Sequence, residues 1–172
     1  TKHRQKEDDH RAKLAYHQDL YERFGKYFLQ LSKKQLPQFD HSVEALDLIA
    51  GCGFSSIHLL PMLPENSRIV AISDYREKLL AFHDNLLPDH QEKLFLRKQD
   101  PYNLPFADET FDLIWALLIT EKPKDIDKII RQAARTLKVG GTLFVISTLK
   151  NSFMDLIGIF YKQLNISDFT HN

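Results

Sequence analysis

At 172 residues, with 43% hydrophobic and 27% charged side chains, the chain has the length and composition of one soluble globular domain with a sizeable core. Its 23 basic and 23 acidic residues cancel, so no overall field favours a nucleic acid or an anionic membrane as partner. The single cysteine, Cys52, excludes an intrachain disulfide and a cysteine-based zinc site, and apolar runs such as residues 113–119 fall far short of a bilayer-spanning helix. No signal peptide with a small-residue cleavage site opens the chain, which points to the cytoplasm. The start at Thr1 instead of Met fits a processed or excised piece.

Residues 1–11 mix basic and acidic side chains without apolar periodicity and read as a frayed, solvated start. From there Leu14, Tyr21, Phe24, Tyr27, Phe28 and Leu31 recur near helical spacing, predicting one or two amphipathic helices that bend at Gly25 and end before Pro37. This N-terminal helical cap, residues 1–40, either packs its stripe on a sheet or, through Tyr21 above all, contributes a lid over a ligand. A core domain over 41–150 follows. Residues 43–49 form a first buried strand, Gly51 and Gly53 permit a sharp turn with positive φ, and a short helix through Ile57, Leu59 and Leu60 is broken by Pro61 and Pro64.

The β-branched run 68–72 predicts a second strand, 77–87 a helix ending at Pro88, and 93–97 a third strand. A proline-containing loop over 101–108 leads to a strongly apolar fourth strand at 110–118. Residues 125–137 return to helix, Gly140 and Gly141 stop it, and 142–147 make the fifth strand. In the remainder Phe153, Leu156, Ile157, Phe160 and Leu164 recur at helical spacing, so 151–172 reads as a C-terminal helix of the same domain. Strands that are apolar throughout and alternate with helices imply an α/β fold: three layers, a doubly wound, mostly parallel sheet of about five strands. Asp47, Asp74 and Asp100 then fall at the carboxyl ends of three successive strands, where such sheets bind ligands. Any one of them could cap a helix. Three on one rim, with Asp47 pointing into the same crevice, suit a nucleoside.

The turn lacks the third glycine of Gly-x-Gly-x-x-Gly, having Ser56 there, and no Gly-Lys-Ser or Gly-Lys-Thr is present to hold a triphosphate. A dinucleotide fingerprint is therefore incomplete, and a nicotinamide-dependent oxidoreductase is the weaker alternative. The organisation resembles the class I methyltransferases that use S-adenosylmethionine, in their small-molecule branch, over residues 43–148. The first motif of that family, an acid followed by alternating glycines, matches Asp47-Leu48-Ile49-Ala50-Gly51-Cys52-Gly53, with Ile49 at the first glycine. The acid after the second strand, which in the family binds both ribose hydroxyls, matches Asp74 behind Ser73. Asp100-Pro101-Tyr102-Asn103-Leu104-Pro105-Phe106 resembles the third motif, whose acid accepts from the adenine amine. Asp108-Glu109-Thr110-Phe111-Asp112-Leu113-Ile114 and Arg135-Thr136-Leu137-Lys138-Val139-Gly140-Gly141-Thr142-Leu143 resemble the fourth strand and the turn before the fifth.

The resemblance implies a Rossmann-like methyltransferase fold and cofactor contacts from Asp47, Ala50, Gly51, Cys52, Gly53, Asp74, Tyr75, Asp100, Pro101, Tyr102, Ala116 and Tyr21, with S-adenosylmethionine as cofactor, a small-molecule acceptor and no metal. A neutral turn and acids on the rim suit a sulfonium cation. Transfer is an in-line displacement, in which holding donor and acceptor in near-attack geometry is worth ~7 kcal/mol or more. No general base is identified. His17, His58 and His83 are scattered and read as packing or surface residues, with His58 the one worth testing; Glu121 is a candidate for acceptor contact. After the fourth strand, residues 115–120 lack the Asn/Asp-Pro-Pro-aromatic of amino-methyltransferases and present an apolar wall.

No length remains for the family's sixth and seventh strands. The fifth strand is therefore expected to carry an open edge for a homodimer or an additional chain segment. A methyltransferase-like binding or scaffolding module without turnover is accordingly a second reading.

Overall fold

A computed structural model of the protein describes residue 30 and residues 32–84, 86–118 and 124–147. The structure holds five strands, β1 (Glu44–Asp47), β2 (Arg68–Ser73), β3 (Leu94–Lys98), β4 (Phe111–Leu118) and β5 (Leu137–Ser147). They lie in the order β3-β2-β1-β4-β5, and every neighbouring pair is parallel. Between them run the helices α1 (Phe54–Leu59), α2 (Arg76–Asp84), α3 (Pro88–Gln91) and α4 (Ile126–Thr136). The chain lays down β1, β2 and β3 outward on one side, then returns to place β4 against the other side of β1. The reversal leaves a crevice at the carboxyl ends of β1 and β4.

Adjacent residues of the central strands supply two separate apolar layers. Ala45, Leu113 and Trp115 join Leu59 of α1 and Phe82 of α2 on one face, whereas Leu46 and Ile114 join Ile129 and Ala133 of α4 on the other. Both faces of β1 and β4 are thus covered, which is why consecutive residues in their middles, 45–46 and 113–117, are apolar. At the amino ends, the Lys138 ammonium donates to Asp112 at 2.8 Å, and Asp112 also accepts from the Glu44 amide at 3.0 Å, fastening β5, β4 and β1 together.

Between residues 43 and 147 the expected strands and helices are present with shifted bounds. Leu87 is extended because it precedes Pro88, so α2 ends at Asp84 and Pro88 opens a separate turn, α3. The short helix after the glycine turn passes into a 3-10 turn, Leu60–Met62, with Pro61 in it. The fourth strand expected at 110–118 spans Phe111–Leu118, and Trp115 pairs with Asp47 and Phe144. Gly140 and Gly141 do not stop α4. That helix closes at Thr136, whose hydroxyl donates to Gln132 O at 3.0 Å, and β5 begins at Leu137. The glycines serve a bulge instead: Phe111 pairs with Leu137 but Leu113 with Thr142, and Gly140 takes φ of +79° in the protruding segment.

Of the N-terminal cap only the end is described, where residues 32–35 are helical. The C-terminal helix expected over 151–172 lies outside the described residues, as do Tyr21 and Gly25. Among the described residues β5 pairs with β4 alone, and no helix is long and apolar enough to cross a membrane.

Candidate functional site at the carboxyl edge of the sheet

The turn after β1 is held between its neighbours. The Leu48 amide donates to Trp115 O at 2.9 Å and the Ala50 amide to Ile72 O at 3.0 Å, so the chain stays in the plane of the sheet as far as Ala50. It then closes, with the Gly53 amide donating to Ala50 O at 2.8 Å. Gly51 has φ of +52° and Gly53 of +88°, the left-handed region that glycine occupies without steric cost. Gly53 is required for a second reason: a Cβ there would lie 1.9 Å from Cδ2 of the buried Phe82 ring. Ile49 has no positive φ and tucks into the second apolar layer, so this position accepts isoleucine without strain.

Asp47 does not point into the crevice as expected. Its side chain is turned inward and wholly buried, accepting from Ser55 Oγ at 2.6 Å, Ser56 Oγ at 2.7 Å and the Ile49 amide at 3.3 Å. Burial pushes its pKa up to about 6, against the opposing pull of those donors. Two hydroxyls in the first turn of α1 supply what a surface carboxylate takes from water. Neither serine had been linked to Asp47 from the sequence, although an acid eight and nine residues before a serine pair across a glycine turn is the available signal.

The next two edges differ. After β2, Ser73 Oγ accepts from the Tyr75 amide at 3.2 Å, leaving Asp74 and Tyr75 exposed, with Lys78 Nζ 4.6 Å from the Tyr75 ring centroid. Among the described residues, no hydrogen bond or ion pair occupies the Asp74 carboxylate. After β3, the exposed Asp100 accepts from the Tyr102 amide at 2.8 Å through one oxygen. Pro101 is buried, and the half-buried Tyr102 accepts from the Lys124 amide at 2.9 Å through its hydroxyl, tying this loop to the start of α4. Gln99 N donates to Ser73 O at 3.0 Å and links the two edges.

A residue without an assigned role fastens this rim. The Arg135 guanidinium, on α4, donates to Leu104 O, Phe106 O, Asp108 Oδ1 and Gln132 Oε1, at 2.7 to 3.1 Å. Gln132 Oε1 in turn accepts from the Leu104 amide at 3.1 Å. At the end of β4, Ala116 is buried in the second layer and Trp115 in the first. The apolar wall is thus a buried strand that faces the core, because alternate side chains of a doubly covered strand point into opposite layers.

His58 and His83 have other surroundings. His58 Nδ1 donates to Phe54 O at 2.8 Å within α1, and His83 is exposed beside Asp84. His17 and Glu121 lie outside the described residues. Among the described residues no group of three or more His, Cys, Asp or Glu could hold a metal. A groove of about 640 Å³ lined by Leu36, Phe39, Met62 and Leu63 sits where the chain enters β1 and β2, away from the carboxyl edge.

Comparison with known proteins is consistent with this geometry. Residues 46–145 match the family model described as a methyltransferase domain. The chain is 26% identical over 106 residues to demethylmenaquinone methyltransferase of Lactobacillus johnsonii, covering 60% of this chain and 43% of that protein. It is 29% identical over 94 residues to 27-O-demethylrifamycin SV methyltransferase of Amycolatopsis mediterranei, covering 54% and 35%. Each of these curated relatives is more than twice as long as the part the chain matches. Among solved structures, the YcgJ protein of Bacillus subtilis superposes with a TM-score of 0.62 at 21% identity, over 81% of this chain and 58% of that one.

Proposed function

The chain belongs to the methyltransferase domain family, and from that premise we propose that it binds S-adenosylmethionine across the carboxyl edge of the sheet and directs methyl transfer to a small organic acceptor. The observation that carries this reading is the sequence of groups along the edge. A neutral glycine turn lies between β4 and β2, followed by the exposed carboxylates of Asp74 and Asp100 after the next two strands. Asp74, unpartnered among the described residues, accepts from the ribose hydroxyls. Asp100 spends one oxygen on the Tyr102 amide and keeps the other for the adenine amine. The backbone of Ala50, Gly51, Cys52 and Gly53 borders the methionyl part, where no Cβ at the two glycines obstructs approach. Tyr75, Pro101 and Tyr102 complete the walls.

When bound, the cofactor supplies an electrophilic methyl group. The chain's task is to orient it and exclude water. A neutral glycine turn with exposed acids beside it fits a sulfonium nucleoside better than a nucleotide phosphate. The relatives' names, with demethylmenaquinone and 27-O-demethylrifamycin SV as acceptors, support a small-molecule substrate. The edge of β5 is the proposed seat of a second copy or of a further segment of chain.

Isothermal titration with S-adenosylmethionine and S-adenosylhomocysteine is expected to give heat for both, and NAD none. Folded protein that binds neither sulfur ligand defeats the reading, and binding of NAD alone would replace it with the oxidoreductase. Asp74→Ala is expected to weaken binding by about 1–3 kcal/mol, the cost of removing hydrogen bonds to a charged acceptor. Unchanged affinity rejects that assignment.

A further inference from the structure

Among the described residues Asp47 is the only ionisable side chain that is buried. It stands at the root of the glycine turn, and its partners stand at the far end. Ser55 and Ser56 follow directly after Gly53, and the Ile49 amide lies between. One carboxylate therefore clamps both ends of the segment 48–53. With no atom on the surface, it has no face to offer a ligand. On the far side of the turn, the Phe82 ring leaves no room for a Cβ at Gly53.

We propose that Asp47 is a positioning residue of the cofactor turn, acting through Ser55 and Ser56 without touching the cofactor; this rests on the reading that S-adenosylmethionine binds there. The groups facing Asp47 are Ser55 and Ser56 from α1, Trp115 from β4 and the Ile49 amide, and none is charged. Trp115 Nε1 lies outside hydrogen-bond geometry yet also favours the charged form. Every partner is thus a donor. The ionised carboxylate accepts all three bonds as they stand, whereas protonation at Oδ2 turns one serine hydroxyl from donor to acceptor and changes the hydrogen bonding of the clamp. Burial opposes the charged form and outweighs the donors that favour it, so Asp47 changes charge near pH 6 and the bonding of the turn changes with it.

The test is titration of S-adenosylhomocysteine into the wild type, Asp47→Asn, Ser55→Ala/Ser56→Ala and the combined triple variant, from pH 5 to 8, with thermal melts to establish folding. Asp47→Asn and the serine pair are each expected to weaken binding about tenfold at pH 7.5, and the triple variant no further, since all remove one clamp. Wild-type affinity should fall on acidification through a step near pH 6, absent in Asp47→Asn and moved to higher pH in the serine pair, where two donors are lost. Losses that multiply in the triple variant, or an affinity without the step, overturn the proposal. Should Asp47→Asn fail to fold, the serine pair decides alone: wild-type affinity with an unmoved step overturns it. Wild type that binds no S-adenosylhomocysteine at any pH removes the parent reading as well, which separates the two failures.

Discussion

Gly53 shows how one position can be constrained from two directions. Its φ of +88° would strain any L-residue, and an added Cβ would overlap a ring that has nowhere to go, Phe82 being fully buried. Gly53→Ala is expected to destabilise the fold by about 2–5 kcal/mol, combining left-handed strain with overpacking. Urea denaturation measures it, and a loss below about 1 kcal/mol would mean that the turn relocates without cost. By contrast, Gly140 also has positive φ, but an added Cβ there would meet nothing within 4 Å. Only its backbone demands glycine. Both glycines were legible in the sequence as turn residues. The distinction between a crowded and an open one was not, since Phe82 is brought to Gly53 by the packing of α2 on the sheet.

The elements at the rim are tied by side chains more than by their own periodicity. The loop between β3 and β4 has no regular structure, yet Arg135 holds two of its carbonyls and Gln132 one of its amides. Removing that strap by Arg135→Met, which keeps much of the stem, should leave α4 intact and loosen the loop. The Leu104 amide is expected to exchange with solvent about tenfold faster or more, a change of about 1.4 kcal/mol in local opening, while the β1 amides stay protected. Hydrogen exchange read residue by residue checks this, and uniform acceleration across the sheet would show a global effect instead. Apolar spacing foretold α4 because its Ile129 and Ala133 face the sheet. Its partly exposed edge carries the strap, and such a role has no period.

For the whole molecule, pH dependence of stability has a direction set by which carboxylate titrates. Asp47 has its folded pKa raised, to about 6 from an unfolded value near 3.8, so its contribution is full below pH 3.8 and is lost as pH rises through 6. That loss amounts to about 3 kcal/mol for a shift of this size. Asp112 is opposite in sign. Burial works against its charge, but Lys138 and the Glu44 amide outweigh it and lower the pKa, so its contribution is present above pH 3.8 and lost as pH falls below that. Between pH 4 and 6 the Asp47 effect stands apart. Subtracting the stability profile of Asp47→Asn from that of the wild type should leave a decline over this interval, and a flat difference would refute the raised pKa.

What the sequence by itself determined is the succession of strands and helices, their parallel stacking in two covered layers, and the arrival of an acid at each of three strand ends. These follow from burial, and burial is written along the chain as apolar spacing with glycine and proline at the breaks. Tertiary structure alone decided that Asp47 faces inward to Ser55 and Ser56, that Phe82 crowds Gly53, and that the paired glycines make a bulge in β5 instead of ending α4. In each case the outcome depends on a group brought alongside from elsewhere: a hydroxyl beyond the turn, a ring from the helix packed beside it, a neighbouring strand with a different register. Local spacing holds no record of such neighbours, because they meet only once the sheet has closed around them.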